Sequence, residues 1–246
     1  MMVELLSALL LLAQPAPVVQ SLPAPVLPPD TKPYFRANNS PACINWNSAR
    51  ASKTSEDVYR SAVHKRWVLG YISGFNVAGP DPTGDLLATS SANEFFGAVD
   101  GYCSRNPSND VVYAMRPVAS AIIRRRGTPA LAISNSTVKK RAQIVGPDTC
   151  QDWSRNRDDK MMRLAYLVWL HGYITAKNQW GSDPLGDAIG NGDATEMIAD
   201  QWCKEHPSAL LVGVITPLIE HVAAERLAGR LPPGGKGAND KLSPNR

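Results

Sequence analysis

A chain that carries one helical signature twice must fold a module and then place its copy, and this chain does carry one twice. Cys43-Ile44-Asn45-Trp46 returns as Cys150-Gln151-Asp152-Trp153. The run from Trp67 through Gly70, Tyr71 and Gly74 to Asn76 returns as Trp169, Gly172, Tyr173, Ala176 and Asn178. Asp81-Pro82-Thr83-Gly84-Asp85 matches Asp183-Pro184-Leu185-Gly186-Asp187, Tyr102-Cys103 matches Trp202-Cys203, and Pro117 matches Pro217. The offset is 107 positions at the first Cys, 102 through the middle and 100 at the second, so the later copy has lost a few residues. Internal repetition of this kind defines the architecture before any other feature is considered.

The 246 residues accommodate two such modules. Each is small enough that covalent staples matter to its stability. All four cysteines belong to the repeat, two per copy. Four cysteines allow three pairings, and Cys43–Cys103 with Cys150–Cys203 is the one that makes each copy self-contained. Closing loops of this length stabilises by roughly 4 kcal/mol each in the chain-entropy account. The alternatives are buried thiols or a metal site, but a metal site would want closely spaced ligands such as C-x-x-C with nearby His. Paired disulfides place a protein in an oxidising compartment. The apolar run Leu5–Ala13 fits the core of a signal peptide, although Glu4 and no basic residue precede it. The expected organisation is therefore a signal peptide over 1–21, a Pro-rich lead-in over 22–42, a first module over 43–126, a linker over 127–149, a second module over 150–228 and a tail over 229–246. No later segment is apolar enough to span a bilayer, so the protein is expected to be exported, soluble and periplasmic.

The periodicity of each copy is helical and nothing alternates like a strand, which predicts an all-α fold of about three helices per module. Thr54-Ser55-Glu56-Asp57 reads as a helix start. Val63, Trp67, Gly70 and Gly74 then form one stripe, with Tyr71 beside it. Ala165, Trp169, Gly172 and Ala176 repeat it, with Tyr173 beside it. Glycine inside a helix costs up to about 1 kcal/mol against alanine, so Gly70 and Gly172 predict a second element crossing closely. Second helices are expected over Ala92–Ser104 and Ala194–Lys204, with Phe75, Phe95 and Phe96 of the first copy matched by Lys177, Met197 and Ile198. Third helices are expected over Val111–Arg126 and Ala209–Ala228, each kinked by Pro117 or Pro217 in its interior. Trp46 and Trp153 complete the repeated structural set.

Chemistry-bearing constellations are scarce. Asp-Pro-x-Gly-Asp is turn chemistry, with the last Asp able to cap a helix. Two carboxylates per copy are fewer than a calcium site uses, so no metal or cofactor is expected. Asp81, Gly84 and Asp85, with Asp183, Gly186 and Asp187, remain candidates for a binding loop. Trp180 has no counterpart. Exposed, it would be an anchor for a partner; otherwise it packs the turn onto its own core. His64 and His171 are unmatched and read as partly exposed helix residues, whereas His206 stands where Asn106 does and reads as a cap. The net charge of +4 includes Arg124-Arg125-Arg126 and Lys139-Lys140-Arg141. These read as cations at a helix C-terminus and in a solvated linker, not as a nucleic-acid footprint. No motif for an activated nucleophile, a metalloprotease or a phosphate loop occurs, and no catalytic residue is expected.

The Cys-x-x-Trp start, the Trp-x-x-Gly-Tyr-x-x-small-x-Asn helix and the closing aromatic-Cys resemble small exported bacterial proteins of the HdeA-type acid-stress chaperones and the Rap/Tai immunity class. The resemblance covers roughly Cys43–Arg126 and Cys150–Ala228. It implies a non-enzymatic periplasmic protein that binds another protein, either one secreted effector or many unfolded clients. A homodimer is a further option for its assembly. Two other classes stay open. One is an envelope component tethered by its Pro-rich lead-in and basic tail, and the other is a hydrolase built from carboxylates distant in sequence.

Overall fold

The computed structural model describes residues 39–79, 85–88, 90–126, 142–146, 148–180 and 192–230. Every regular element among them is a helix. The first half contains α1 (Cys43–Ala51), α2 (Ser55–Ala78), α3 (Ala92–Arg105) and α4 (Val112–Arg126). The second contains α5 (Cys150–Arg155), α6 (Lys160–Trp180), α7 (Gly192–Glu205), a 3₁₀ turn (Leu211–Val214) and α8 (Ile215–Leu227). Each half thus has four α-helices where the sequence predicted about three. The short α1 and α5 are too brief for periodicity to announce them. The expected signal peptide, lead-in as far as residue 38, Lys139–Arg141 and the tail beyond Arg230 lie outside the described residues.

Local chemistry sets the helix starts. Thr54 accepts the N–H of Asp57 at 3.2 Å to open α2. Ser91 with Glu94 and Thr149 with Asp152 form reciprocal capping boxes at α3 and α5. Disulfides Cys43–Cys103 and Cys150–Cys203 join α1 to α3 and α5 to α7 as expected. Two further ties accompany each disulfide in the same positions. The N–H groups of Cys43 and Cys150 donate to Asn109 O at 2.7 Å and Ala209 O at 2.9 Å, and the indoles of Trp46 and Trp153 donate to Asp100 at 2.7 Å and Asp200 at 2.9 Å.

Those indole bonds correct the expected register of the second predicted helix in each half. Asp100 matches Asp200, at the same offset as Cys103 and Cys203, so Phe95 and Phe96 stand where Thr195 and Glu196 do, not Met197 and Ile198. Met197 is exposed accordingly. The final helices also differ from expectation. Pro117 does lie inside α4, but the second half breaks into a 3₁₀ turn before α8. The Trp202 ring occupies the space a Cβ on Gly213 would need, and glycine there weakens an α-helix. Pro217 then falls in the first turn of α8, where a missing N–H costs nothing.

The halves are not two self-contained bodies on a free linker. α2 and α6 run parallel and touch backbone to backbone. A Cβ on Gly70 would overlap the carbonyl oxygen of Trp169, and one on Gly172 would overlap that of Trp67. A Cβ on Gly74 would overlap Tyr173 O and lie 2.9 Å from the Cβ of Ala176. The contacts are reciprocal, as across an isologous two-fold interface. Small residues four apart are what permits such an approach. The close crossing that Gly70 and Gly172 predicted is therefore each copy's long helix meeting the other. Core residues Val168 and Ala176 of α6 join the cluster built around Trp67, Tyr71 and Phe95. The second cluster centres on Trp153, Tyr166 and Trp169.

Candidate functional site

Three places concentrate polar chemistry, and all lie around the tryptophans and the α2–α6 seam. In the first half, Trp46 is fully buried between His64, stacked at 6.3 Å, and Phe96 at 6.4 Å. Lys65 sits over the Phe96 ring, and Arg50 bridges to Asp100 at 2.7 Å. Burial pushes the Asp100 carboxyl up, but hydrogen bonds from Arg50 and Trp46 outweigh it and hold the group below the usual range. Burial, then the nearby Arg60, pushes His64 down.

The second half meets the same tryptophan with charge. Arg163 lies 3.5 Å over the Trp153 ring and is 5% exposed. Its Nη2 donates to Glu196 at 2.7 Å and to Asp200 at 2.9 Å. Glu196 occupies the place of Phe96 and Arg163 that of Ser61. This is where carboxylates converge, both on one guanidinium, with Asp200 also accepting the Trp153 indole. Arg163 Nη1 and Thr195 Oγ1 are buried without partners. Sequence reasoning missed this cluster because the apolar match of Phe95 with Met197 hid the register set by the cysteines.

The third place is the seam. Trp180 is not an exposed anchor, nor does it pack on its own half. Its indole donates to the Tyr71 hydroxyl at 2.8 Å, its ring meets Phe75 edge-on at 5.1 Å, and Arg116 lies over it at 5.6 Å. The Tyr71 hydroxyl in turn donates to Gln179. Burial drives the Tyr71 phenol well above its ordinary pKa and lifts Tyr173 to about 12. His171, expected to be partly exposed, is buried at 3% exposure, and burial pushes it down to about 4. It matches Leu69, an apolar position, and that correspondence was the available signal for its burial.

Of the Asp-Pro loops, Asp85 is described and accepts the N–H of Leu87 at 3.0 Å, as a turn residue does. Arg126 caps the same turn, donating to Asp85 O at 2.8 Å and Leu86 O at 2.9 Å. Asp81, Gly84, Asp183, Gly186 and Asp187 lie outside the described residues. His206 caps as expected, its Nδ1 3.0 Å from Trp202 O, where Asn106 donates to Tyr102 O at 2.9 Å. Among the described residues no group of three or more His, Cys, Asp or Glu could hold a metal, and no helix is long and apolar enough to cross a membrane.

The fold and these sites define an all-helical, disulfide-bonded protein with matched halves. No protein-family model matches the chain, and neither a similar curated protein nor a similar solved structure is found.

Proposed function

We propose that the chain is a tandem of one exported helical module that acts in the periplasm by binding another protein, as an inhibitor of the immunity type and without catalysis. The observation that carries this reading is a set of apolar side chains left in solvent on a braced framework. Val58, Met161 and Leu164 are exposed near the N-terminal ends of α2 and α6. The Tyr59 hydroxyl ties those ends together by donating to Met161 O at 2.6 Å. A contiguous exposed apolar patch is a usual mark of protein contact, and a stapled framework loses little entropy on binding. A holdase that opens in acid is the second reading, favoured by the half-buried His64 and the buried His171, both of which burial pushes down.

A crosslinked pull-down of the oxidised protein from periplasmic extract, at about pH 7 and about pH 3, separates these readings. The inhibitor reading expects one partner held stoichiometrically at neutral pH, lost when Val58 and Met161 are changed to Asp. Many clients captured only in acid would replace it with the holdase. No partner at either pH would overturn both.

A further inference from the structure

The segments that lead into α1 and α5 act as straps, each crossing to the other half. Residues 142–146 lie against α2. Asn76 Nδ2 donates to Gln143 O at 2.8 Å, Val145 N–H donates to Ser73 Oγ at 2.9 Å, and Trp169 Nε1 donates to Val145 O at 3.1 Å. Asp148 pairs with Arg66 at 2.5 Å. Residues 39–42 form the matching strap. Pro41 O and Ser40 Oγ accept from the N–H groups of Val111 at 2.8 Å and Val112 at 2.9 Å. Asn39 reaches α6, its Nδ2 donating to His171 Nδ1 at 3.0 Å. The backbones correspond, since Asn39 (φ 48°) and Gly146 (φ 65°) are both left-handed. Asn39 meets His171 where Gly146 meets Leu69, the matching helix position.

Protonation acts differently on the two straps. In the arrangement present, Asn39 Nδ2 donates to the lone pair of His171 Nδ1, and an imidazolium carries N–H on both nitrogens and offers that donor no acceptor. Nε2 is already buried without a partner, so an added charge would find no acceptor there. No charged group offsets this, because burial is the whole cause of the His171 shift. Residues 39–42 contain nothing ionisable. Of the ionisable groups nearby, Asp110, whose backbone bridges Ala42, has its carboxyl raised by burial, so acid relieves a charge there; Arg66 is engaged by Asp148 and Tyr71 by Gln179 and Trp180, while Tyr173 is itself buried and neutral. The second strap behaves in the opposite way. Burial raises the Asp148 carboxyl, against the pull of Arg66 and with a push from Asp152, so protonation relieves a buried charge. Its bonds through Gln143 and Val145 do not titrate.

We propose that the N-terminal strap is an acid-released latch, in which protonation of His171 frees Asn39 from α6 while the strap at residues 142–146 stays in place. The latch does not depend on the protein-binding reading, and its test involves no partner. Backbone ¹⁵N relaxation of the full oxidised chain from pH 7 to 3.5 follows both straps at once. Asn39 and Ser40 are expected to lose their heteronuclear NOE with the titration of the His171 ring, near pH 4, while Ile144–Gly146 keep theirs. His171→Leu, which installs the residue found at position 69, should remove that step. Asn39→Gly keeps the left-handed backbone and should leave the strap loose at every pH. The latch is overturned if Asn39 stays ordered through the His171 titration or if both straps loosen together. It is overturned equally by a step near pH 4 that persists in either variant, so Asn39→Gly decides the matter should His171→Leu fail to fold.

Discussion

The two halves build one frame and fill it differently. Each has a disulfide between its first and third helices, a buried indole on an aspartate, and a Trp–Tyr stack at 5.8 Å beside the crossing glycine. Around that frame the first half packs two rings, Phe96 and His64, against Trp46, whereas the second keeps one ring, Tyr166, and adds ions, Arg163 with Glu196 and Asp200, against Trp153. Tyr102 with Tyr113 becomes Trp202 with Gly213, a larger ring against a vanished side chain. The frame, made of backbone contacts and covalent bonds, fixes the architecture. The filling has only to match in volume and polar satisfaction.

The comparison breaks most severely at the crossing. Gly70→Leu and Gly172→Leu drive side chains into a facing carbonyl, so each should cost more than about 3 kcal/mol in denaturant unfolding, by nearly equal amounts. Unequal costs would show that the crossing is not reciprocal. The next effect is acid. His171 has an ordinary value near 6.5 and a folded value of about 4, so the folded state binds fewer protons than the unfolded one between them. Stability from neutral His171 is full above about pH 6.5 and falls by about 3 kcal/mol as pH drops to about 4. His171→Leu should flatten that part of the pH–stability curve. His64 shifts in the same direction and adds to the slope, while Asp148 opposes it.

A smaller effect sharpens the contrast between rings and ions. Asp200→Ala leaves Arg163 buried with one carboxylate and should cost about 2–3 kcal/mol. Asp100→Ala unpairs the buried Trp46 indole and frees the partly exposed Arg50, and should cost about 2 kcal/mol, both read by thermal unfolding. Smallest is Trp180→Ala, about 1–2 kcal/mol from a lost hydrogen bond and edge contact with the opposite half. At the matching position of the first half stands Ala78, which has no such ring to lose.

Much of the frame was legible in the sequence because it rests on residues that chemistry makes nearly irreplaceable. The cysteine pairing, the Thr54 start, the glycine crossing and the His206 cap all follow from residue type and spacing. What stayed hidden depends on partners distant in sequence. A histidine reads as polar until its companion Leu69 places it in a core, and residues 142–149 read as a linker because their bonds run through main-chain carbonyls. The Arg163–Glu196–Asp200 cluster needed the correct register of α7, which the Trp153–Asp200 bond reveals and apolar matching conceals. The break before α8 needed the knowledge that Trp202 fills the space above Gly213.

The most direct test of the central claim, that the halves are one interlocked unit, is to cut between them. A protease site inserted between Arg126 and Ala142 and then cleaved leaves two disulfide-closed fragments, which can be weighed together under native conditions by size exclusion with light scattering. The fragments are expected to travel as one particle of the intact chain's mass, held by α2 against α6 and by the two straps. Fragments that separate while each remains folded would contradict it.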